Sequence, residues 1–139
     1  MDKARKKILI VEDEVIVAME IEMHLQMNNF IVVGKCQSSG KAIEVSLEKK
    51  PDLIMMDINI QGEHDGVQTS KIILDSYKPS ILFLSAYNDA NTIERTKQIP
   101  DSKLLSKPFS VRDLITAINS FFPDASSLDN LQVKVLRQE

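Results

Sequence analysis

The segment LIMMDINIQGEHDG, residues 53–66, places a carboxylate directly after four apolar residues. Leu53 to Met56 have the length and composition of a strand buried on both faces, and Asp57 follows them at once. A charge beside a hydrophobic core costs free energy unless a partner stabilises it. The residues that follow the other apolar runs indicate what Asp57 faces.

A pair of acids follows the first apolar run of the chain. Ile8 to Val11 are succeeded by Glu12 and Asp13, and the carboxyl ends of parallel strands meet at one edge of a sheet. Carboxylates about 5 Å apart repel by roughly 3 kcal/mol per pair at an effective dielectric near 20. A hard divalent cation such as Mg²⁺ takes oxygen ligands and would remove that repulsion. Taken alone, the acids EDE also fit the first turn of a helix, but that interpretation leaves Asp57 unexplained.

Two later runs supply a hydroxyl and an ammonium group. The run ILFLS ends in Ser85, and KLLS is followed by Lys107. A phosphoryl group on Asp57 would have Mg²⁺ on one side and these two side chains on the other. This arrangement supports phosphoryl transfer through positioning and charge neutralisation. The residues therefore predict that Asp57 is a nucleophile that accepts a phosphoryl group as an acyl phosphate.

The elements that must position these residues alternate between strand and helix. Five short apolar runs, each followed by a helical pattern, predict a parallel sheet with helices on both faces. The predicted strands are 8–11, 30–36, 53–56, 81–85 and 103–106, and the predicted helices are 14–28, 39–50, 67–77, 91–98 and 111–122. In the first helix, Met19, Met23 and Met27 continue a stripe that starts at Ile16, and we expect the methionines to face the core.

Length and composition limit the class of protein. The chain has 139 residues, a net charge of −3 and a hydrophobic fraction of 43%, which are ordinary for one soluble domain without general attraction for nucleic acid or anionic membrane. No apolar run reaches the roughly 18 residues that span a bilayer, and the chain does not open on a signal peptide pattern. We therefore expect a cytoplasmic protein. Cys36 is the single cysteine, and His24 and His64 lack a second ligand at zinc spacing.

The carboxyl-terminal residues differ from the rest of the chain. We expect residues 1–123 to form one domain and residues 124–139 to form a tail. The tail has mixed charge and a weak helical pattern through Leu128, Leu131 and Val135. It is therefore either a linker or an extra helix.

The strand-end motifs together resemble those of response-regulator receiver domains in two-component signal transduction. ILIVEDE, PDLIMMDINIQGEHDG, FLSAY and SKPF stand in the family's order and spacing over residues 7–122. The resemblance implies an α/β, CheY-like (flavodoxin-like) fold, a doubly wound five-stranded parallel sheet of order 2-1-3-4-5. It also implies Mg²⁺ as cofactor and a phosphoryl group taken from a histidine kinase or a histidine phosphotransfer protein.

The resemblance assigns roles by position. Asp57 matches the phosphoacceptor, Ser85 the switch hydroxyl and Lys107 the invariant lysine. The expected metal ligands are Glu12, Asp13, Asp57 and the backbone carbonyl of Asn59. The bond between Lys107 and Pro108 is typically cis in the family.

One position departs from the family pattern. Leu104 stands where the family usually has Tyr or Phe, three residues before the lysine. We therefore expect the relay of the phosphorylation signal to the fourth helix and fifth strand to differ. Tyr87 either takes over part of this switch or packs as an ordinary loop aromatic.

The alternatives differ in function class. A phosphorylation-independent pseudo-receiver scaffold fits the departure at Leu104, and a small phosphatase could also use an aspartyl phosphate. A phosphatase generally needs a second acid two residues after the nucleophile, where this chain has Asn59. We expect no enzyme activity beyond self-phosphorylation and self-dephosphorylation, an unidentified output domain or protein, no direct nucleic acid binding and no membrane insertion. A homodimer through the face of the fourth helix, fifth strand and fifth helix remains open.

Overall fold

Five strands alternate with five helices in the computed structural model, which describes residues 5–123. The strands are β1 (Lys7–Val11), β2 (Ile31–Cys36), β3 (Leu53–Asp57), β4 (Ser80–Ser85) and β5 (Ser102–Ser106). The helices are α1 (Val15–Met27), α2 (Ser39–Lys49), α3 (Gly66–Leu74), α4 (Ala90–Lys97) and α5 (Val111–Asn119). All strands are parallel and the sheet order is β2-β1-β3-β4-β5, which confirms the predicted fold class. The predicted tail, 124–139, lies outside the described residues.

The central strands are buried on both faces of the sheet, as their continuous apolar runs predict. Every residue of β3 and β4 is buried, and so is β1 after its first residue. One core lies between the sheet and α2 and α3, and the other between the sheet and α1 and α5. Within residues 5–123, no helix is long and apolar enough to span a bilayer.

The expected orientation of α1 is wrong. The helix buries Ala18, Ile21 and Leu25 against the sheet. Met19, Met23 and Met27, which we expected in the core, are 55%, 51% and 73% exposed. Ala18, Ile21 and Leu25 recur at intervals of three and four residues, and so does the methionine stripe when it is counted from Ile16, so the period predicts a helix but cannot choose between two apolar stripes. In the folded chain the stripe through Ala18 packs on the sheet and the stripe through Met19 faces away from it.

The loop after β3 is fixed close to the strand end. The Gly66 N–H donates to the Ile58 carbonyl at 2.7 Å, and the Ile58 N–H donates to the Leu84 carbonyl at 3.0 Å. A Cβ on Gly66 would lie 2.4 Å from the Asp57 carbonyl oxygen, so only glycine allows α3 to start this close to the strand. The Ser39 N–H also donates to the Gln61 carbonyl at 2.8 Å. The backbone around Asp57 is therefore held from two sides.

Candidate functional site

Three carboxylates meet at the carboxyl edge of β1 and β3. One oxygen from each of Glu12, Asp13 and Asp57 lies within 4.8 Å of the others. Glu12 is fully buried and Asp57 is 5% exposed, whereas Asp13 is half-buried. The strand-end argument from the sequence predicts this juxtaposition. A donor set made only of oxygen, with excess negative charge, suits a hard divalent cation such as Mg²⁺.

Lys107 holds two of these carboxylates together. Its ammonium group donates to Glu12 Oε1 and to Asp57 Oδ2, each at 3.0 Å. Burial alone would lower the pKa of Lys107, but the hydrogen bonds and charges of Glu12 and Asp57 outweigh it and raise that pKa. The lysine is therefore protonated at neutral pH. One ammonium against three carboxylates leaves two negative charges unbalanced within the group.

Backbone donors stabilise two of the carboxylates. The Glu14 N–H donates to Glu12 Oε2 at 3.1 Å, and the Asn59 N–H donates to Asp57 Oδ1 at 3.1 Å. The pKa of Asp13 is raised, mainly by desolvation and to a smaller extent by the hydrogen bond and the negative charge of the neighbouring Glu12. Glu14 is the N-cap of α1 but makes no side-chain capping bond. The helix-capping interpretation of the EDE acids therefore gains no support from the start of α1.

The serine of the predicted site lies at the end of β4 but is bonded within its own loop. The buried Ser85 hydroxyl donates to the Tyr87 carbonyl at 2.8 Å and accepts from the Tyr87 N–H at 3.0 Å. The Tyr87 side chain is 63% exposed. In this structure the hydroxyl thus belongs to a closed turn after β4.

Leu104, at the position where the resembling family usually has an aromatic residue, is an ordinary packed side chain. Leu104 lies opposite Phe83 in the pairing of β4 with β5. It is half-buried and packs against the core cluster that contains Phe83 and Ile99. The Lys107–Pro108 peptide bond that follows β5 is cis.

Two polar contacts across this edge were not predicted from the sequence. Arg95 of α4 donates to Asp65 at 2.6 Å, and Asp65 also caps α3 through the Gln68 N–H. The Ser106 hydroxyl of β5 donates to Asn88 Oδ1 at 2.9 Å. These partners are 30 and 18 residues apart in the chain, so no local spacing signals them. The contacts connect α4 and β5 to the loops that surround Asp57 and Ser85.

A match to a protein-family model shows which family the chain belongs to. The family model described as the response regulator receiver domain matches residues 8–119. The chain belongs to this family. The matched range contains every strand end of the site, from Glu12 to Lys107.

Curated relatives of this receiver domain include regulators that are longer than the chain. It is 31% identical over 113 residues to the transcriptional regulatory protein PdtaR of Mycobacterium tuberculosis, covering 81% of this chain and 55% of that protein. It is 27% identical over 115 residues to the phyllosphere-induced regulator PhyR of Methylorubrum extorquens, covering 81% of this chain and 42% of that protein. The receiver domain therefore spans about half the length of the curated relatives it matches.

Solved structures share the fold of this receiver domain. The signal receiver domain of a modulated diguanylate cyclase from Desulfovibrio desulfuricans G20 has a TM-score of 0.75 and 26% identity, covering 84% of this chain and 92% of that one. The chemotaxis protein CheY4 of Vibrio cholerae has a TM-score of 0.78 and 21% identity, covering 86% of this chain and all (100%) of that one. At 21% identity, the similarity to CheY4 shows only that the two chains share a fold.

Proposed function

We propose that this receiver domain takes a phosphoryl group onto Asp57 and uses the resulting acyl phosphate to control a partner or an output domain. The observation that carries the proposal is the position of Lys107, which lies 3.0 Å from both Asp57 and Glu12. A nucleophilic carboxylate, a buried acid and a fixed ammonium group within contact distance are the parts that phosphoryl transfer needs. A salt bridge with a purely structural role would not need the third carboxylate, Asp13.

Mg²⁺ is the proposed cofactor. Glu12, Asp13, Asp57 and the backbone carbonyl of Asn59 would hold it. When bound, the ion neutralises negative charge on the carboxylates and on the phosphoryl oxygens. The support is the donor set itself, since its oxygens converge within 4.8 Å and carry more charge than one lysine balances.

The proposed reaction is an in-line transfer from a phosphohistidine. A carboxylate oxygen of Asp57 attacks phosphorus while the P–N bond to the donor imidazole breaks, and the electron pair remains on the imidazole nitrogen. An O–P bond forms on Asp57, so the product is an acyl phosphate. Lys107, which stays protonated, keeps one hydrogen bond for a phosphoryl oxygen. The water-poor surroundings of Asp57, only 5% exposed, strengthen these charge interactions.

The proposed switch starts at Ser85. Its hydroxyl would leave the Tyr87 carbonyl and donate to a phosphoryl oxygen, which breaks the two hydrogen bonds that close the turn. The loop through Tyr87 and Asn88 would move with it. Leu104 has no ring to swing into vacated space, so we propose a smaller response at β5 than at this loop.

The proposed phosphodonor is a histidine kinase or a histidine phosphotransfer protein in the cytoplasm. A groove of about 550 Å³ beside the site offers room for part of such a donor. Its walls include Val17 and Ile21 of α1 and Phe109, and Lys107 lies at its border with the acidic cluster. We propose no catalytic turnover of other substrates, because residue 59, where a phosphatase would have its acid, is Asn59.

The test is labelling of the full chain with acetyl phosphate. We expect one phosphoryl group per chain with Mg²⁺ and little with EDTA. Asp57→Asn should abolish labelling, and the matched control Asp75→Asn, which changes an exposed residue just after α3, should leave it unchanged. Full labelling of Asp57→Asn would contradict the assignment, and no labelling of the unmodified chain would favour the pseudo-receiver. Multiple turnovers of a phosphate ester would favour the phosphatase.

A further inference from the structure

The loop that connects β3 to α3 is attached to the loop that precedes α2. β1 separates β2 from β3 in the sheet, but beyond the end of β1 Ser38 and Gln61 form an isolated parallel bridge. The Ser39 N–H donates to the Gln61 carbonyl at 2.8 Å, and the Gln61 N–H donates to the Gln37 carbonyl at 3.4 Å. Residues 37–39 and 61–62 are here named the interloop clamp.

Gly62 allows the interloop clamp to close. Its φ of +111° is one that residues with a side chain rarely adopt. A Cβ at this position would lie 2.4 Å from the Ser39 hydroxyl oxygen and 3.1 Å from the Ser39 backbone nitrogen. Ser39 is 2% exposed, so the atoms around it restrict any shift away from such a Cβ. The close approach of the two loops therefore requires glycine at position 62.

Asn59, whose carbonyl is a proposed Mg²⁺ ligand, lies between two fixed points of the loop after β3. Before it, the Ile58 N–H donates to the Leu84 carbonyl at 3.0 Å, and the Ile58 side chain is buried. After it, Ile60 packs against the core and the clamp holds Gln61. Only residues 59 and 60 separate the two fixed points, so the backbone has few alternative conformations there.

We propose that the interloop clamp positions the Asn59 carbonyl for Mg²⁺, and that Ser39 and Gly62 are the positioning residues. Neither is among the proposed ligands, and the inference rests on the proposed function because it concerns the cofactor of that site. Mg²⁺ requires near-ideal octahedral geometry, so a ligand that must first be ordered weakens its binding. Ordering the backbone of one residue corresponds to roughly a tenfold change in affinity.

A purely structural role for the clamp predicts a different result. The Ser38 side chain already caps α2 by accepting from the Lys41 N–H, and the Gly66 N–H already fixes the start of α3 on the Ile58 carbonyl. Both helices therefore have starting contacts of their own. If the clamp contributed only to stability, its loss would lower the Tm and leave the Mg²⁺ affinity of the folded protein unchanged.

Ser39→Pro removes the shortest hydrogen bond of the clamp and is compatible with α2. Ser39 is the first residue of α2, where proline is favoured, and Ser38 already has the extended backbone that proline requires before it. The matched control, Ser39→Ala, keeps the N–H and loses only the hydroxyl, which accepts from the His64 N–H at 3.4 Å. Neither substitution changes the charge of the site.

The Mg²⁺ affinity of the full chain is measured from backbone NMR shifts, well below the Tm of each variant. We expect Ser39→Pro to raise the Kd for Mg²⁺ by about tenfold and Ser39→Ala to leave it unchanged. Gly62→Ala, an independent variant on the other loop, should also raise it. Its control is Gly40→Ala, whose added Cβ meets nothing within 4 Å.

Titration with Ca²⁺ separates a loss of geometry from other effects, because Ca²⁺ tolerates flexible coordination. We expect Ser39→Pro and Gly62→Ala to weaken the binding of Mg²⁺ more than that of Ca²⁺. An unchanged Kd for Mg²⁺ in both variants would overturn the positioning role and leave the proposed function standing, and so would equal losses for the two ions. If the unmodified chain did not bind Mg²⁺, the proposed cofactor and this inference would both be overturned.

Discussion

Replacing Asp13 by asparagine should stabilise the metal-free protein, because it removes a charge that the fold holds against two others. The oxygens of Asp13, Glu12 and Asp57 lie within 4.8 Å of one another, and Lys107 offsets part of the repulsion. Two like charges about 5 Å apart interact by about 1 kcal/mol in water and about 3 kcal/mol at a dielectric of 20. If the lysine cancels one of the two repulsions, roughly 1–2 kcal/mol remains for the half-exposed Asp13. For a domain of this size, that corresponds to a rise in Tm of about 3–8 °C.

The dependence of this effect on pH has a definite sign. The fold raises the pKa of Asp13 above its ordinary value of 3.8, so the folded state binds the proton more tightly than the unfolded state does. The original protein therefore loses stability as the pH rises from 3.8 through the folded pKa, and the loss is complete above it. The advantage of Asp13→Asn should be full at pH 7 and should shrink on acidification toward pH 4.

Thermal melting followed by circular dichroism measures both effects. In EDTA, Asp13→Asn should melt above the original chain, and the control Asp75→Asn should not. Millimolar Mg²⁺ should raise the Tm of the original chain by mass action and raise that of Asp13→Asn far less. A variant that melts several degrees lower in EDTA would refute the reasoning, because the backbone interactions of Asp13 would then outweigh the repulsion.

Three further outcomes follow from the same geometry. Lys107→Gln should lower the free energy of unfolding by about 2–5 kcal/mol in urea titrations, because it leaves buried carboxylates unpaired. Since the fold raises the pKa of Lys107, the stability it contributes should persist to pH 10.5 and be lost only as the pH rises through the higher folded pKa. Arg95→Gln should cost less than about 1 kcal/mol, because its ion pair with Asp65 is about one-third exposed. Backbone NMR shifts on adding beryllofluoride and Mg²⁺ should be larger around Ser85 than around Leu104, and equal shifts would show that the leucine relays the switch.

Much of the fold and the candidate site follows from the sequence. The central strands are continuous apolar runs because they are buried on both faces, and parallel strands bring their carboxyl ends to one edge. The apolar runs locate the strands, and the shared edge brings their ends together, so the sequence predicts that Glu12, Asp13 and Asp57 lie close to Lys107. The role of each residue stays a prediction until it is tested chemically.

The failures of the sequence argument have physical causes. α1 is apolar on two sides, so its period cannot identify the side that packs on the sheet, and the prediction that Met19, Met23 and Met27 face the core is wrong. The predicted helix 67–77 ends earlier, at Leu74, where the hydrogen bonds tighten to i→i−3: the Asp75 N–H donates to the Ile72 carbonyl at 3.2 Å and the Ser76 N–H to the Ile73 carbonyl at 3.0 Å. The contact between Arg95 and Asp65 depends on the tertiary arrangement of α4, which no local pattern specifies.

The most direct test of the central claim is to identify the residue that carries the phosphoryl group. The full chain is incubated with acetyl phosphate and Mg²⁺ and then reduced with borohydride, which converts an aspartyl phosphate into homoserine. Peptide mass spectrometry should find homoserine at position 57 and unchanged Asp13 and Glu12. Homoserine at position 13, or reduction at no position despite a full phosphodonor supply, would contradict the account.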